Sequence, residues 1–315
     1  MNDGHDRKKI IARPFRGDKD YRRVRDLLIE TYPITPTGFN WEIRRWDGWR
    51  YYNSSPDWNP EWEKTVYLWQ EENGLLVGAA HPENKPGYAY LQVHPDYRRL
   101  EPEMIAWAEN RLAVPVEDDQ FQLSVFVYEY DTFRKNLLEG RGYKKTSSGG
   151  VIRRLRFGGM SLPTLKIANG YTCRTVNPDN ESDCRQIADI LNAAFGRDFH
   201  TPDEYRVFTS NAPCAHKSMD LAAIAPDKSF AAYVGISYEE TNRYGIFEPV
   251  CTHPEHQRRG LARALMLEGL HRLRAIGAFD VLVGTGDQIA ANRLYDSIGF
   301  TEVHRERVWT RVFSR

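Results

Sequence analysis

The sequence predicts an α/β (α+β) fold in two tandem domains. Apolar, β-branched runs of strand length alternate with segments of helical period along the whole chain. The pattern restarts near the middle, so that two stretches of the first half line up with two of the second. At 315 residues the chain can give each half its own core, and 41% hydrophobic with 27% charged residues is the balance of a globular protein.

Ile10 to Phe15 is expected to form a first strand. Tyr21 to Thr31 follows as a helix, capped by Asp18 or Asp20, with Val24, Leu27 and Leu28 inward. A tryptophan-dense stretch comes next, with Trp41, Trp46, Trp49, Trp58, Trp62 and Trp69 and the interleaved Arg44, Arg45 and Arg50. Such rings can build a substrate wall or a cation–π surface. No spacing here specifies a ligand, so a helix pair filling space between domains with large rings is the simpler expectation. Residues 65–70 and 75–80 form a hairpin around the turn Glu71 to Gly74. Then come a strand from Tyr88 to His94, a helix from Glu101 to Ala113, a strand from Leu123 to Tyr128, a helix from Asp131 to Glu139 closed by Gly140 or Gly142, and a strand from Gly150 to Phe157. The loop-like Phe157 to Pro163 opens a linker, which places the domains at 1–158 and 171–315 with 159–170 between them. The second round has a strand from Tyr171 to Val176, a helix capped by Asp179 or Asn180 and running to Phe195, a helix from Pro202 to Thr209, and strands Leu221 to Ala225 and Phe230 to Ser237.

The most informative stretch follows. Tyr244 to Thr252 reads as a strand, ended by His253-Pro254 because proline cannot donate to a ladder. From Arg259 onward Ala262, Leu265, Leu270, Leu273 and Ile276 recur at helical spacing, which predicts a helix with one buried face. A basic loop with Gly260 therefore joins a strand to a helix start. The first N–H groups of a helix lack internal partners, the macrodipole adds positive potential, and Gly260 and Ala262 allow close approach. Together they predict a phosphate cradle. It is neither a P-loop, which needs Gly-Lys-Ser/Thr, nor the Rossmann glycine pattern.

Gln257-x-x-Gly260-x-Ala262, placed after Val250-x-x-His253-Pro254, resembles the acyl-CoA pyrophosphate loop of the GNAT superfamily of N-acetyltransferases. Val93 to Arg99 lines up with Cys251 to Gln257 and the arginines after it, and Leu137 to Tyr143 with Leu294 to Phe300, so both halves carry two landmarks of the family. The resemblance implies two tandem GNAT-like domains, each a mixed, mostly antiparallel sheet flanked by helices. It also implies acetyl-CoA as co-substrate and direct attack in a ternary complex. Val250 and Cys251 match the place where the family holds the thioester carbonyl, and the bound coenzyme is expected along Val250, Cys251, Thr252, Gln257, Arg258, Arg259, Gly260, Leu261, Ala262 and Arg263. Gln288, where the family often has asparagine, and the nearby Asn292 match its pantetheine contact.

Acyl transfer to an amine needs a base, a stabilised carbonyl oxygen and an acid for the thiolate. Glu248, on an otherwise apolar strand, is expected to be desolvated and to take a proton, or else to serve as a structural acceptor or ion-pair partner. Tyr295 lies in a helix bounded by Asp287 as N-cap and Gly299 past its end, and matches the family tyrosine that protonates the thiolate; a core tyrosine is the plainer alternative. Cys251 reads as a buried strand cysteine rather than an acyl acceptor. In the first half, Leu100-Glu101-Pro102-Glu103 has no glycine, loses a donor at Pro102 and puts acids where a pyrophosphate would sit. Ala89 stands for Glu248 and Leu138 for Tyr295. That domain is expected to be degenerate, shaping the substrate cleft or holding the fold.

Zero formal net charge gives no global field toward nucleic acid or membrane, and the arginines from Arg44 to Arg50 carry no nucleic-acid-binding motif. Cys173, Cys184, Cys214 and Cys251 have no C-x-x-C spacing, which with scattered histidines suggests no metal site and no disulfide framework. Met1 to Lys9 is polar, unlike a signal peptide, so a reducing cytoplasm is expected. The expected partner is a small-molecule or peptide amine. A non-catalytic acyl-CoA-binding protein is the alternative from another class.

Overall fold

The computed structural model describes residues 9 to 314. Of the polar stretch Met1 to Lys9, all but Lys9 lies outside these residues. In chain order the elements are β1 (Ile10–Pro14), α1 (Gly17–Thr31), α2 (Ile43–Tyr51), β2 (Tyr67–Glu71), β3 (Leu76–His81), β4 (Tyr88–Val93), α3 (Glu101–Arg111), β5 (Val114–Pro115), β6 (Phe121–Tyr128), α4 (Thr132–Gly140) and β7 (Lys144–Arg156). There follow β8 (Thr172–Thr175), α5 (Glu181–Phe195), α6 (Pro202–Asn211), β9 (Leu221–Ile224), β10 (Phe230–Glu239), β11 (Tyr244–Thr252), α7 (Leu261–Ala275), β12 (Asp280–Thr285), α8 (Ile289–Ile298) and β13 (Glu302–Phe313). No helix among the described residues is long and apolar enough to cross a membrane.

The chain divides into two compact units. Of the described residues, the first holds 9–42, 59–149 and 305–314, the second 43–58 and 150–304. These units are not the contiguous ranges expected from the linker composition. In the first, the strands run β1-β2-β3-β4-β6-β13, with β5 on β6; in the second they run β7-β12-β11-β10-β9-β8. The plan is the same in both. Four antiparallel strands lead to one parallel pair, β4 with β6 and β11 with β12, and an antiparallel last strand closes the sheet. That last strand is exchanged. β13, from the end of the chain, closes the first unit on β6, and β7 closes the second on β12.

The repeat extends to ion pairs on a buried carboxylate. In the first unit Arg13 on β1 clasps Asp20 of α1 at 2.5 and 2.7 Å, and Asp20 also accepts from the Arg16 N–H. In the second, Arg174 on β8 clasps Asp183 of α5 at 2.6 and 2.7 Å, and Asp183 accepts from the Asn177 N–H. Asp20 is thus not the cap expected of it. Arg16 sits at the N-cap of α1 without a side-chain bond. In α5 the cap is Asn180, which accepts from the Asp183 N–H at 3.1 Å.

The first core packs Trp69, Leu91, Met104, Ile105, Leu123 and Trp309. The second unit buries Phe247, Leu265, Leu270, Val283, Tyr295 and Phe300 in one cluster, and Ile187, Leu191, Tyr205, Tyr233 and Cys251 in another. The tryptophans are mostly core residues. Trp46, Trp49, Trp62 and Trp69 are buried, and the segment supplies one α-helix, α2, rather than a pair. α7 is buried on a broader face than expected, including Leu261, Ala264, Met266 and Leu267, whereas Ala262 is half-buried and Ile276, beyond the helix end, is exposed.

Candidate active site

β11 positions the centre of the site. Its ladder with β10 pairs Phe247 with Ile236 and Val250 with Val234, so Glu248 and Pro249 together stand opposite Gly235 alone. This is a β-bulge. Gly235 is required there, because a Cβ would lie 2.5 Å from the Glu248 carbonyl oxygen and 2.9 Å from Pro249 Cδ. The Glu248–Pro249 peptide bond is cis. The extra residue resets which side chains face which side, as any single-residue slip must. Phe247 and Val250 both pack with the α7-side cluster, and Cys251 joins the α5-side cluster. The parallel ladder of β11 with β12 ends at Phe247 and Val283, while the ladder with β10 runs on to Thr252. Among the described residues, no strand neighbours the β12-facing edge of Glu248 to Thr252.

The chain then turns. His253 Nδ1 accepts from the Glu255 N–H at 3.4 Å, a single 3₁₀ turn spans Pro254–His256, and Gln257 to Gly260 are exposed. Arg258 and Gly260 have φ of +59° and +73°. Gly260 is the N-cap of α7, and the first helical bond runs from the Ala264 N–H to its carbonyl at 3.0 Å. Among the described residues, none accepts from the backbone N–H groups between Arg258 and Arg263. Arg258 to Gly260 are exposed, Ala262 and Arg263 half-buried and Leu261 buried, and the run lies at the positive end of a 15-residue helix. The guanidinium groups of Arg258 and Arg263 likewise have no protein partner among the described residues. That of Arg259 lies 5.7 Å from the Tyr171 ring and donates to the Glu255 carbonyl at 3.4 Å.

Tyr295 is buried on α8, and its hydroxyl has no protein hydrogen bond among the described residues. Burial pushes the phenol up to about 12; the Arg153 charge works against this and the Glu248 carboxylate with it. Glu248 is thus within electrostatic reach of the phenol. It is exposed, however, and not desolvated as its apolar neighbours suggested, because the bulge turns it out of the strand's packed faces. Burial pushes the Cys251 thiol up to about 12, which suits an inert packing residue.

One residue not legible in the sequence, Arg153, fastens the helix that carries Tyr295. Arg153 on β7 donates to Asp296 Oδ1 (2.6 Å), Asn292 Oδ1 (2.9 Å) and the Phe300 carbonyl (3.1 Å), which ties α8 to the sheet. The Asn292 amide also donates to the Gly286 and Gln288 carbonyls at 3.0 and 2.9 Å. The Asn292 side chain is therefore engaged in starting α8. Asp287 is not the cap expected of it; Gln288 occupies that position, without a side-chain cap bond, and its Oε1 accepts from Thr285 Oγ1 at 3.1 Å. Gly299 ends the helix in the left-handed region as expected, with φ of +114°.

The matching corner of the first unit is closed. There the 3₁₀ turn Pro95–Leu100 runs straight into α3, with no break like Gln257 to Gly260, and the Glu101 N–H donates to the Arg98 carbonyl. Glu101 does not project as a free charge. It is fully buried, bound by Arg98 at 2.6 Å and Arg134 at 2.7 Å, while Arg98 also holds Asp131. Glu103 accepts from Trp69 Nε1 at 2.9 Å. Ala89 and Leu138, the counterparts of Glu248 and Tyr295, are buried in the core.

Comparison with known proteins bears on the family and the fold. A family described as acetyltransferase (GNAT) matches residues 184–300. A mycothiol acetyltransferase of Nocardia farcinica is 31% identical over 153 residues, 45% of this chain and 49% of that one, so the match spans about half of that relative. Among solved structures, a GCN5-related N-acetyltransferase from Sphaerobacter thermophilus superposes with a TM-score of 0.64 at 20% identity, over 97% of this chain and 96% of that one. A tandem GNAT protein from the clavulanic acid biosynthesis pathway gives 0.64 at 17% identity, over 96% and 98%. At such identities these two likenesses speak to the fold, and they span nearly all of both chains. Residues 184–300 thus match the GNAT acetyltransferase family, and over nearly its whole length the chain is similar in fold to a tandem GNAT protein.

Proposed function

We propose that this protein transfers an acyl group, most simply acetyl from acetyl-CoA, to a primary amine by direct attack in a ternary complex. The observation that carries the proposal is the run of backbone N–H groups from Arg258 to Arg263 without a protein acceptor. Those donors, with Arg258 and Arg263, suit a diphosphate. The unpaired edge at Val250 and Cys251 offers a backbone donor to the thioester carbonyl, where negative charge develops. Gln257, Arg259, Leu261, Ala262 and Thr252 line the same path, and Gln288 stands by the start of α8 for the pantetheine arm.

Glu248 takes the proton of the attacking amine, directly or through water. Tyr295 donates to the departing thiolate. A phenol held near 12 stays protonated at any ordinary working pH, so the donor is always present. The first unit carries no coenzyme, because its equivalent helix start is continuous and filled by Glu101 and its arginines. The exposure of Glu248 favours one second reading, an acyl-CoA-binding protein without turnover. Thiol release from acetyl-CoA, measured across candidate amines with mycothiol-type acceptors first, separates the two. Tyr295→Phe is expected to lower kcat about 10²-fold with unchanged affinity for coenzyme A. Equal turnover in the variant refutes the acid role, and saturable binding with no thiol release for any amine favours the second reading.

A further inference from the structure

The second unit holds a cavity of about 350 Å³ that the proposed reaction does not use. It is walled by Asp189 on α5, Asp227 and Ser229 between β9 and β10, and His253, Glu255 and His256 on the turn after β11. The last three each bring a ligand atom to within 4.8 Å of the others. Local geometry explains the convergence. His253 accepts the Glu255 N–H through Nδ1 at 3.4 Å, which curls the 3₁₀ turn over its ring and leaves Nε2 uncommitted. The His256 ring is held by Tyr171, whose hydroxyl lies 2.9 Å from Nδ1, and its Nε2 is likewise uncommitted. An imidazole anchored through one nitrogen by such a partner presents the other in a fixed direction to a ligand. The two imidazole rings have centroids 5.7 Å apart. Asp227, whose Oδ1 accepts from the Ser229 N–H and hydroxyl at 3.0 and 2.7 Å, lies close enough to His256 to feel its charge.

We propose that His253, Glu255 and His256 bind a divalent transition-metal ion of the zinc, cobalt and nickel class, with water in the remaining positions. Two imidazoles and a carboxylate are the donors such ions prefer, and the carboxylates of Asp189 and Asp227 around the same cavity favour a cation electrostatically. Cysteine spacing gave no hint of this site, because the donors come from one short turn, His-Pro-Glu-His. His256 is followed after one residue by Arg258, where the open N–H groups begin. A bound ion would therefore lie near the mouth of the phosphate cradle and add positive charge there. The assignment rests on the cavity and the three donors, and stands whether or not the chain transfers acyl groups.

The test uses the full, untagged chain and cobalt(II), read by its visible ligand-field absorption and by calorimetry, without acyl-CoA. One equivalent is expected to bind saturably. The His253→Ala/His256→Ala double variant is expected to lose affinity at least about tenfold, and Glu255→Gln, which keeps the side-chain shape, to lose affinity and change the spectrum. Circular dichroism checks that both variants are folded, and Glu255→Gln serves alone should the double variant not be. Tyr171→Phe is expected to weaken binding by a smaller factor, since it removes only the anchor of His256. Absence of saturable cobalt binding, or binding with the same affinity and spectrum in Glu255→Gln, overturns the proposal.

Discussion

Gly235→Ala is the substitution that most sharply tests how the bulge builds the site. The added methyl would stand 2.5 Å from the Glu248 carbonyl oxygen, 0.9 Å inside the 3.4 Å at which ordinary contact begins, and 2.9 Å from Pro249 Cδ. Its nearest neighbour is backbone, so no flexible side chain can yield; the bulge itself must move. Overpacking of this kind costs about 1–3 kcal/mol. The displaced segment carries Glu248 and the open edge from Val250 to Thr252. A shift approaching 1 Å at such a site costs turnover about 10²-fold. Urea unfolding measures the first effect and thiol release from acetyl-CoA the second. Gly140→Ala is the control: no atom lies within 4 Å of its Cβ, and it ends helix α4, where alanine is preferred. That variant is expected to stay within about 1 kcal/mol of the parent, with unchanged turnover. A Gly235→Ala protein of parental stability and turnover refutes the argument that the bulge positions the site.

Other outcomes follow from the same structure. Glu101→Gln takes the close carboxylate from the buried Arg134 and one of two from the half-buried Arg98, and is expected to destabilise the protein by about 3 kcal/mol without conferring a second coenzyme site; thermal unfolding and calorimetric stoichiometry check both. Deleting residues 302–315 removes β13, with the buried Val308 and Trp309, and is expected to strip hydrogen-exchange protection from β6. Unchanged protection there would contradict the strand exchange. Burial pushes the Asp183 carboxyl up, but hydrogen bonds from Arg174 and the Asn177 N–H, with the Arg174 charge, hold it below its ordinary 3.8. Its contribution to stability is therefore present above that value and lost as pH falls through the lower folded value. Arg174→Met is expected to move acid unfolding to higher pH, and an unchanged acid midpoint would count against the pair.

Much of the site was legible because its chemistry is local. The strand Tyr244–Thr252, its end at His253-Pro254 and the glycine before α7 are set by neighbouring residues, and each lies where the pattern put it. Helix caps were less legible. Asp18, Asp20 and Asp287 are all plausible caps by type, but Asp20 answers to Arg13, and Asn292 binds the carbonyls at the start of α8. The exchanged strands were not legible at all. β7 and β13 are both amphipathic and follow comparable helices, so only long-range pairing decides which sheet each closes. Arg153 was missed for the same reason, since its partners lie on α8, more than 130 residues along the chain. The duplication carries one further mark in the sequence. Arg13 with Asp20, and Arg174 with Asp183, repeat one domain length apart, and support the duplication through its paired charges.

The central claim concerns a handful of amide hydrogens, so amide exchange with and without coenzyme A tests it most directly. Slowed exchange between Arg258 and Arg263, with none between Arg98 and Glu103, is the predicted result. Exchange unchanged in the second unit at saturating coenzyme A, or slowed in the first unit instead, would contradict it.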